Sequence, residues 1–271
     1  MTGPCNFHTH TTYCDGRGTP EEMVKAAVGK GLSALGFSGH SYLERDMPYC
    51  MSIGGTLEYM AEVRRLGEKY AGEIELYLGI EQDYLSENRP EGFDYVIGAV
   101  HFVMKGDEIL CIDGGARAQK QTVDTHFGGD YYAAAETYFD TVADMVNKTG
   151  ADIVAHFDLI AKYNLNGRLF DEASPRYTDA AIGAMERILK THRLFEVNTG
   201  AMNRLGKPEP YPSAFLLKEL CRRGGEVILS SDSHDTESIC CKFDEMRELL
   251  RVCGFKYVKR FTRDGFADEA L

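Results

Sequence analysis

Phe7-His8-Thr9-His10-Thr11, close to the start of the chain, places two histidines one residue apart directly after an apolar residue. Side chains alternate between the two faces of a β-strand, so His8 and His10 should point the same way. Such a pair can direct both imidazoles at one metal ion. Alone it is equally compatible with an ordinary surface or core position, so its meaning depends on the segments that follow.

The later apolar segments end in residues that commonly bind metals. Strands are predicted at 32–39, 74–80, 93–100, 151–155 and 227–231. The residues that follow these strands are His40, Glu81, His101, His156, Asp232 and His234. Asp15 lies five residues after the first histidine pair and adds a carboxylate. One further strand, at 194–197, ends in Asn198-Thr199-Gly200 instead.

Helical patterns alternate with these strands. Thr19-Pro20-Glu21-Glu22 is a capping box with proline at the first helical position. Further helices are predicted at about 56–71, 131–148, 175–190, 213–223 and 237–252. About seven βα units predict an α/β fold with a parallel sheet, in one domain covering residues 1–271. In a closed parallel barrel the carboxyl ends of the strands meet on one face, where active sites lie.

Three segments fall outside this alternation. Residues 41–55 and 102–130 are predicted to be loops, and the longer one is expected to act as a lid or a substrate wall. The segment 257–261 could form an eighth strand, but it does not end in a metal-binding residue type.

Composition limits the kinds of partner. The 271 residues carry a formal net charge of −12, which disfavours a nucleic-acid backbone as a general partner. The sequence has no run of about 18 apolar residues and no signal-peptide pattern, so a cytoplasmic protein without a membrane partner is expected. The eight cysteines show no Cys-x-x-Cys spacing and are expected to be reduced. Cys14, near the histidine pair, is a weaker candidate for a soft metal ligand.

The candidate ligands are too numerous for one ion, which takes about four to six. The predicted ligands are His8, His10, Asp15, His40, Glu81, His101, His156, Asp232 and His234. Each has an ordinary structural alternative, but together they predict two or three divalent ions with a bridging carboxylate. Zinc, iron and manganese all suit mixed imidazole and carboxylate sites. Such ions supply hydroxide at neutral pH and favour a phosphate monoester dianion as substrate.

The same residues resemble those of the polymerase-and-histidinol-phosphatase (PHP) superfamily. The stretches that carry the resemblance include His8-Thr9-His10, Val100-His101-Phe102, His156-Phe157-Asp158 and Ser231-Asp232-Ser233-His234. Residues 93–102, 156–163 and 196–200 look most similar to the stand-alone histidinol-phosphatase branch. The resemblance implies a distorted (β/α)7 TIM-like barrel with a trinuclear metal site at the carboxyl ends of its strands.

The resemblance also implies how the ligands divide among the ions. One ion would be held by His8, His10, Glu81 and Asp232, a second by Glu81, His101 and His156, and a third by Asp15, His40 and His234. In that branch an arginine after the sixth strand helps to bind phosphate, and Arg204 is the nearest match. Lys162 and Arg117 are further candidates for substrate binding, and Lys120 is a weaker one.

These observations predict a metal-dependent phosphomonoesterase in which metal-bound hydroxide attacks phosphorus. Glu81, Asp232 and His234 are the expected catalytic residues, and no side chain is identified as the general acid. The resemblance implies that the substrate is L-histidinol phosphate, as in histidine biosynthesis. The alternatives are another PHP phosphoesterase acting on nucleotides or phosphotyrosyl peptides, and a non-catalytic metal-binding scaffold. The sequence does not indicate an oligomeric state.

Overall fold

A computed structural model describes residues 3–87 and 91–271 of the chain. The strands in these ranges are β1 (Cys5–Asn6), β2 (Ala34–Phe37), β3 (Glu75–Asp83), β4 (Tyr95–Ala99), β5 (Phe102–Lys105), β6 (Glu108–Cys111), β7 (Ile153–Val154), β8 (Leu194–Asn198), β9 (Glu226–Ser230), β10 (Tyr257–Thr262) and β11 (Gly265–Ala270). The α-helices are α1 (Pro20–Gly29), α2 (Ile53–Lys69), α3 (Ala116–Phe127), α4 (Tyr131–Thr149), α5 (Pro175–Ile188), α6 (Gly200–Leu205), α7 (Ala214–Arg222) and α8 (Phe243–Cys253).

The main sheet confirms the predicted α/β architecture. Its strand order is β1-β2-β3-β4-β7-β8-β9-β10-β11, and every pair from β1 to β10 is parallel. The sheet curls, so that the chain just after β1 meets the chain just after β9. There Thr9 and Ser233 form a parallel bridge, in which the His10 N–H donates to the Ser233 carbonyl over 2.8 Å. This contact brings the first and the seventh parallel strand together at their carboxyl ends.

Large aromatic side chains fill the inside of the curled sheet. Phe7, Tyr77 and Tyr95 pack with Phe261, with ring centroids 5.1 to 6.3 Å apart. The buried Tyr95 hydroxyl donates to the carbonyls of Phe7 and Phe37, over 2.6 and 2.9 Å. The Tyr95 ring lies against Gly36 and Gly79, where any larger side chain would overlap it. A second, larger core lies between the sheet and the helices.

Several helix ends agree with their sequence signals. Thr19 and Glu22 form the predicted capping box of α1. Asp130 caps α4, and Gly150 ends it in the left-handed conformation. β3 runs three residues further than predicted, so Glu81 lies within the strand and Asp83 at its end.

The prediction of one long loop at 102–130 is wrong. β5 and β6 form an antiparallel hairpin around Gly106, which has a φ of +60°, and α3 follows. The apolar residues Val103, Leu110 and Val123 are buried there. The strands have only four residues each, and few apolar side chains mark α3, so neither pattern was long enough to be recognised.

The last part of the chain differs from the prediction in two ways. Helix α8 begins at Phe243, not near 237, because Ser238 instead makes a turn in which its N–H donates to the Asp235 carboxylate over 2.9 Å. The segment at 257–261 does form a strand, β10, which pairs with β9 and also with β11. Phe261 on β10 contributes to the aromatic filling inside the sheet.

Candidate metal centre and substrate pocket

The Glu81 carboxylate lies at the centre of the predicted ligands. Its Oε2 atom is 3.3 Å from His8 Nε2, 3.4 Å from His10 Nε2 and 2.9 Å from His40 Nδ1. Its Oε1 atom is 3.0 Å from His156 Nε2 and 3.5 Å from His101 Nε2. Glu81 is almost fully buried. One carboxylate therefore faces five histidines from four different strand ends, three on one oxygen and two on the other.

A second group gathers around Asp15. Its carboxylate lies 3.0 Å from His234 Nε2, 3.6 Å from His40 Nε2 and 3.6 Å from His10 Nδ1. Asp232 completes the set, with its Oδ1 atom 3.4 Å from His10 Nε2 and 3.8 Å from His8 Nε2. Three overlapping groups of possible ligands result: His10, Asp15, His40 and His234; His8, His10 and Asp232; and His40, Glu81 and His101. His10 and His40 each belong to two of these groups, unlike in the division that the resemblance implies.

The arrangement fits cations better than it fits a set of internal hydrogen bonds. His8 Nε2 and His10 Nε2 face each other at 3.1 Å, and the two ring planes are tilted by 43°. Among the described residues, the buried atoms Asp15 Oδ1 and His156 Nδ1 have no hydrogen-bond partner, and Glu81 Oε2 has none with good hydrogen-bond geometry although His40 Nδ1 lies 2.9 Å away. Unpaired buried polar atoms are costly unless something else satisfies them. Imidazole nitrogens and carboxylate oxygens are ligand atoms to which divalent transition metals bind.

Charge and burial shift the pKa values of these groups. Burial, together with the neighbouring His234 and His40 rings, lowers the pKa of His10 to about 3, which keeps this ring neutral. Burial acts to raise the pKa of the Glu81 carboxyl, but the charges of His40 and His8 outweigh it and hold that pKa well below its usual range. Glu81 is therefore a carboxylate and His10 a neutral imidazole at neutral pH, the forms that bind metals.

The sequence analysis missed residues behind the ligands. Glu196 on β8 is fully buried, and its Oε2 atom accepts a hydrogen bond from His8 Nδ1 over 2.8 Å. Asp83 on β3 lies 3.0 Å from His101 Nδ1 in the same way. The sequence signal that could have identified these partners is a charged residue within a mostly buried strand, Asp83 in β3 and Glu196 in β8. Metal-binding histidines usually hold such a partner on the second ring nitrogen.

The metal-binding candidates open onto a pocket of about 410 Å³. Arg204 and Lys162, two of the residues predicted to bind substrate, both line this pocket. Arg204 donates to Asp232 Oδ2 over 3.0 Å and lies 2.8 Å from His234 Nδ1, with about a third of its side chain exposed. Lys162 pairs with Asp113 over 2.5 Å.

A carboxylate without a partner also lines the pocket. Asp46, from the loop between β2 and α2, makes no side-chain hydrogen bond or ion pair with any residue in the described ranges. Burial and the nearby Asp83 and Asp113 charges raise the pKa of Asp46, although His101 and His40 act against them. The pocket therefore presents both positive and negative side chains outside the ligand cluster.

Two predicted candidates for substrate binding lie outside this pocket. Arg117 is exposed on α3, and Lys120 on the same helix pairs with Asp124 over 2.5 Å. The prediction of a loop at 102–130 that acts as a lid or a substrate wall would have brought both near the site, but helix α3 carries them instead. Cys14 does lie beside the cluster, with its sulfur 3.4 Å from His10 Nδ1.

Within residues 3–87 and 91–271, no helix combines the length and the apolar composition that crossing a bilayer requires.

Comparison with known proteins agrees with this geometry. The model of the PHP domain family matches residues 6–200, which is well over half of the chain. The chain belongs to the PHP domain family. A Deinococcus radiodurans protein named "Probable histidinol-phosphatase" is 30% identical over 94% of this PHP chain and 95% of its own length. The Bacillus subtilis protein named "Histidinol-phosphatase" is 20% identical over 89% of this chain and 97% of its own.

A solved structure shares the PHP fold. The histidinol phosphate phosphatase of Lactococcus lactis, solved as a complex with zinc, L-histidinol and phosphate, superimposes with a TM-score of 0.74. The match covers 97% of this chain and 98% of that protein, at 20% sequence identity. The likeness confirms the predicted α/β barrel architecture with its curled parallel sheet.

Proposed function

We propose that this PHP protein is a metal-dependent phosphomonoesterase that hydrolyses L-histidinol phosphate to L-histidinol and phosphate. The observation that carries the proposal is the Glu81 carboxylate, surrounded by five histidines at the floor of a pocket that also holds Arg204 and Lys162. The relatives named histidinol-phosphatase, which match over nearly their full lengths, support the choice of substrate.

Two or three divalent ions, of zinc, iron or manganese, would be held by the nine predicted ligands. When bound, such ions make hydroxide available at neutral pH and neutralise charge on the phosphoryl group. Glu81 would serve two ions, because its two oxygens face different sets of histidines. Asp232 and His234 would contribute to the same cluster.

The cations of the pocket would bind the phosphate. Arg204 is fixed by Asp232 and His234 at the edge of the cluster, and its exposed part faces the pocket. A guanidinium can donate two parallel hydrogen bonds to a phosphate. Lys162 is held in place by Asp113 and supplies a second positive charge.

The unpaired Asp46 favours an amine-bearing substrate over a nucleotide. In L-histidinol phosphate the positively charged amino group lies on the carbon next to the CH2 group that bears the phosphate, and the imidazole lies at the other end. A free carboxylate in the pocket would attract that amino group. A nucleoside monophosphate has a neutral ribose next to the phosphate, and a phosphotyrosyl peptide has an aromatic ring there, so neither presents an amino group near the phosphate to pair with this carboxylate.

A phosphate-release screen tests the proposal. Protein purified without chelator is assayed with L-histidinol phosphate, p-nitrophenyl phosphate, a nucleoside monophosphate and a phosphotyrosyl peptide. We expect the highest kcat/KM for L-histidinol phosphate. A higher kcat/KM for the nucleoside monophosphate or for the phosphotyrosyl peptide would assign the protein a different PHP phosphoesterase activity. No phosphate release from any substrate would favour a non-catalytic scaffold.

A further inference from the structure

Glu196 connects three of the predicted ligand-bearing strand ends. Its Oε2 atom accepts from His8 Nδ1 over 2.8 Å, just beyond β1. Its Oε1 atom accepts from the backbone N–H of His156 over 2.7 Å, just beyond β7. The same oxygen accepts from the Asn198 side-chain amide over 2.7 Å, and that amide also donates to Asp232 Oδ2 over 3.2 Å. Glu196 itself is fully buried.

We infer that Glu196 is a positioning residue, which keeps a proton of His8 on Nδ1 and so leaves Nε2, on the side of the metal centre, as the nitrogen that would bind the metal. The inference rests on the proposed metal-dependent function, because it concerns how the chain prepares its ligands. His8 Nε2 is the atom that lies 3.1 Å from His10 Nε2 and 3.3 Å from Glu81 Oε2. An ionised carboxylate can only accept hydrogen bonds, so the ring nitrogen that faces Glu196 must be the one that donates.

The contacts on Glu196 Oε1 exclude a role for that oxygen as a hydrogen-bond donor. The backbone N–H of His156 can only donate. The orientation of the Asn198 amide is fixed as well, because its Oδ1 atom accepts from the Gly200 N–H over 2.8 Å. Its NH2 group therefore faces Glu196 and Asp232 as a donor. Every group around the Glu196 carboxylate is thus a donor, and the site requires an acceptor at both oxygens.

Glutamine at 196 would reverse the proton position on His8. A glutamine side chain has the same shape but one acceptor oxygen and one NH2 group. Its oxygen would have to face the two donors at Oε1, so its NH2 group would face His8 Nδ1. His8 Nδ1 would then have to accept, and its proton would move to Nε2, where the lone pair for the metal is needed.

Asp83 provides a comparison with Glu196, because it supports one predicted ligand where Glu196 supports several. Its Oδ2 atom lies 3.0 Å from Nδ1 and 3.3 Å from the backbone nitrogen of one histidine, His101. Glu196 instead contacts His8 and His156 directly and reaches Asp232 through Asn198. Loss of Glu196 should therefore affect ligands on more strands than loss of Asp83.

The test uses the zinc-loaded full chain, with zinc alone as the probe ion. Zinc affinity is measured by competition with a chelator for the wild type, Glu196→Gln, Asp83→Asn and Asp94→Asn. Asp94 is the matched control, because its carboxylate also accepts a backbone N–H, that of Leu78 over 2.7 Å, but precedes β4 away from the ligands. In ¹⁵N-histidine-labelled protein, long-range ¹H–¹⁵N spectra report which nitrogen of His8 carries the proton.

We expect Glu196→Gln to bind zinc roughly ten- to a hundredfold more weakly and to lose the His8 Nδ1 proton signal. Asp83→Asn should show a smaller loss, and Asp94→Asn should match the wild type. Wild-type zinc affinity in Glu196→Gln, or a retained Nδ1 proton, would overturn the inference. If Glu196→Gln does not fold, Glu196→Asp takes its place: one methylene shorter, it cannot span both sets of donors, so unchanged zinc affinity would again overturn the inference.

The two proposals fail in different ways. A wild-type protein that binds no zinc, iron or manganese would overturn the proposed function and this inference with it. A wild type that binds zinc, with a Glu196→Gln variant that binds it equally well, would overturn only the role of Glu196.

Discussion

Arg204 contacts two of the predicted metal ligands and also lines the pocket. Its guanidinium contacts both Asp232 and His234, and 31% of the side chain remains exposed. The sequence indicated a cation after the sixth parallel strand but not these contacts. They depend on β8 and β9 lying side by side, which places α6, with Arg204, next to Asp232.

Replacing Arg204 by alanine should lower kcat/KM for L-histidinol phosphate roughly ten- to a hundredfold. A charge-assisted hydrogen bond contributes about 1.5–3 kcal/mol, and the phosphate would lose at least one. Steady-state kinetics measure the effect. Arg187→Ala is the control, because Arg187, exposed on α5, pairs with Asp140 on α4. An unchanged kcat/KM for Arg204→Ala would remove this residue from the phosphate site.

Asp158 gives a prediction about stability and pH. Burial raises its pKa to about 7, although Lys207 acts against the shift, and its Oδ2 atom accepts from the Ser213 N–H over 3.1 Å. The folded state therefore holds a proton that the unfolded state releases near pH 4. Between these values the folded state binds more protons, so this group makes stability fall as pH rises.

Asp158→Asn should therefore stabilise the protein at pH 8.5 relative to the wild type, by roughly 1–4 kcal/mol, and much less at pH 4.5. Asparagine can still accept from the Ser213 N–H but carries no charge. Denaturant unfolding of both proteins at the two pH values measures the difference. A difference that does not grow between pH 4.5 and pH 8.5 would show that Asp158 ionises normally.

At the scale of elements, the strand ends were the most predictable part of the chain. Buried parallel strands appear as short apolar runs, and the ligand types that follow them were visible at His40, His101 and His156. The hairpin of β5 and β6, helix α3 and the supporting Glu196 were not predicted. Short strands, a mostly polar helix and one charge inside a buried strand carry too little local pattern, and only tertiary contacts give them meaning.

Glu81 and Asp15 should differ in the number of metal ions that each helps to bind. Glu81→Gln should lose more than one metal equivalent and nearly all phosphatase activity, because its two oxygens face different histidine groups. Asp15→Asn should lose at most one equivalent, since its contacts are confined to His10, His40 and His234. Elemental analysis of the two variants side by side, with circular dichroism as the folding control, measures this. Equal losses would contradict a bridging role for Glu81.

The loop between β2 and α2 should contribute to substrate choice through Asp46. Asp46→Asn should lower kcat/KM for L-histidinol phosphate by about tenfold, because one charge-assisted contact to the amino group is lost. Hydrolysis of p-nitrophenyl phosphate, which has no amino group, should be unchanged. Asp107→Asn, exposed in the hairpin turn, is the matched control. Equal losses on both substrates would show that Asp46 does not recognise the amino group.

At the scale of the whole molecule, the curled sheet makes the site possible. Ligands from the first to the seventh parallel strand meet because the chain after β1 bridges to the chain after β9. The alternation of strands and helices predicted this architecture, and the single domain over residues 1–271 stays a prediction. The pairing of individual ligands, such as His40 with both Glu81 and Asp15, depends on side-chain directions that no sequence pattern specifies.

The metal content of active protein tests the central claim most directly. Protein purified without chelator is analysed for zinc, iron and manganese, and the same preparation is assayed for phosphate release from L-histidinol phosphate. The geometry predicts two to three ions per chain, and activity that falls when a chelator removes them and returns when they are restored, with the fold retained throughout. Full activity with one ion or none per chain would contradict it.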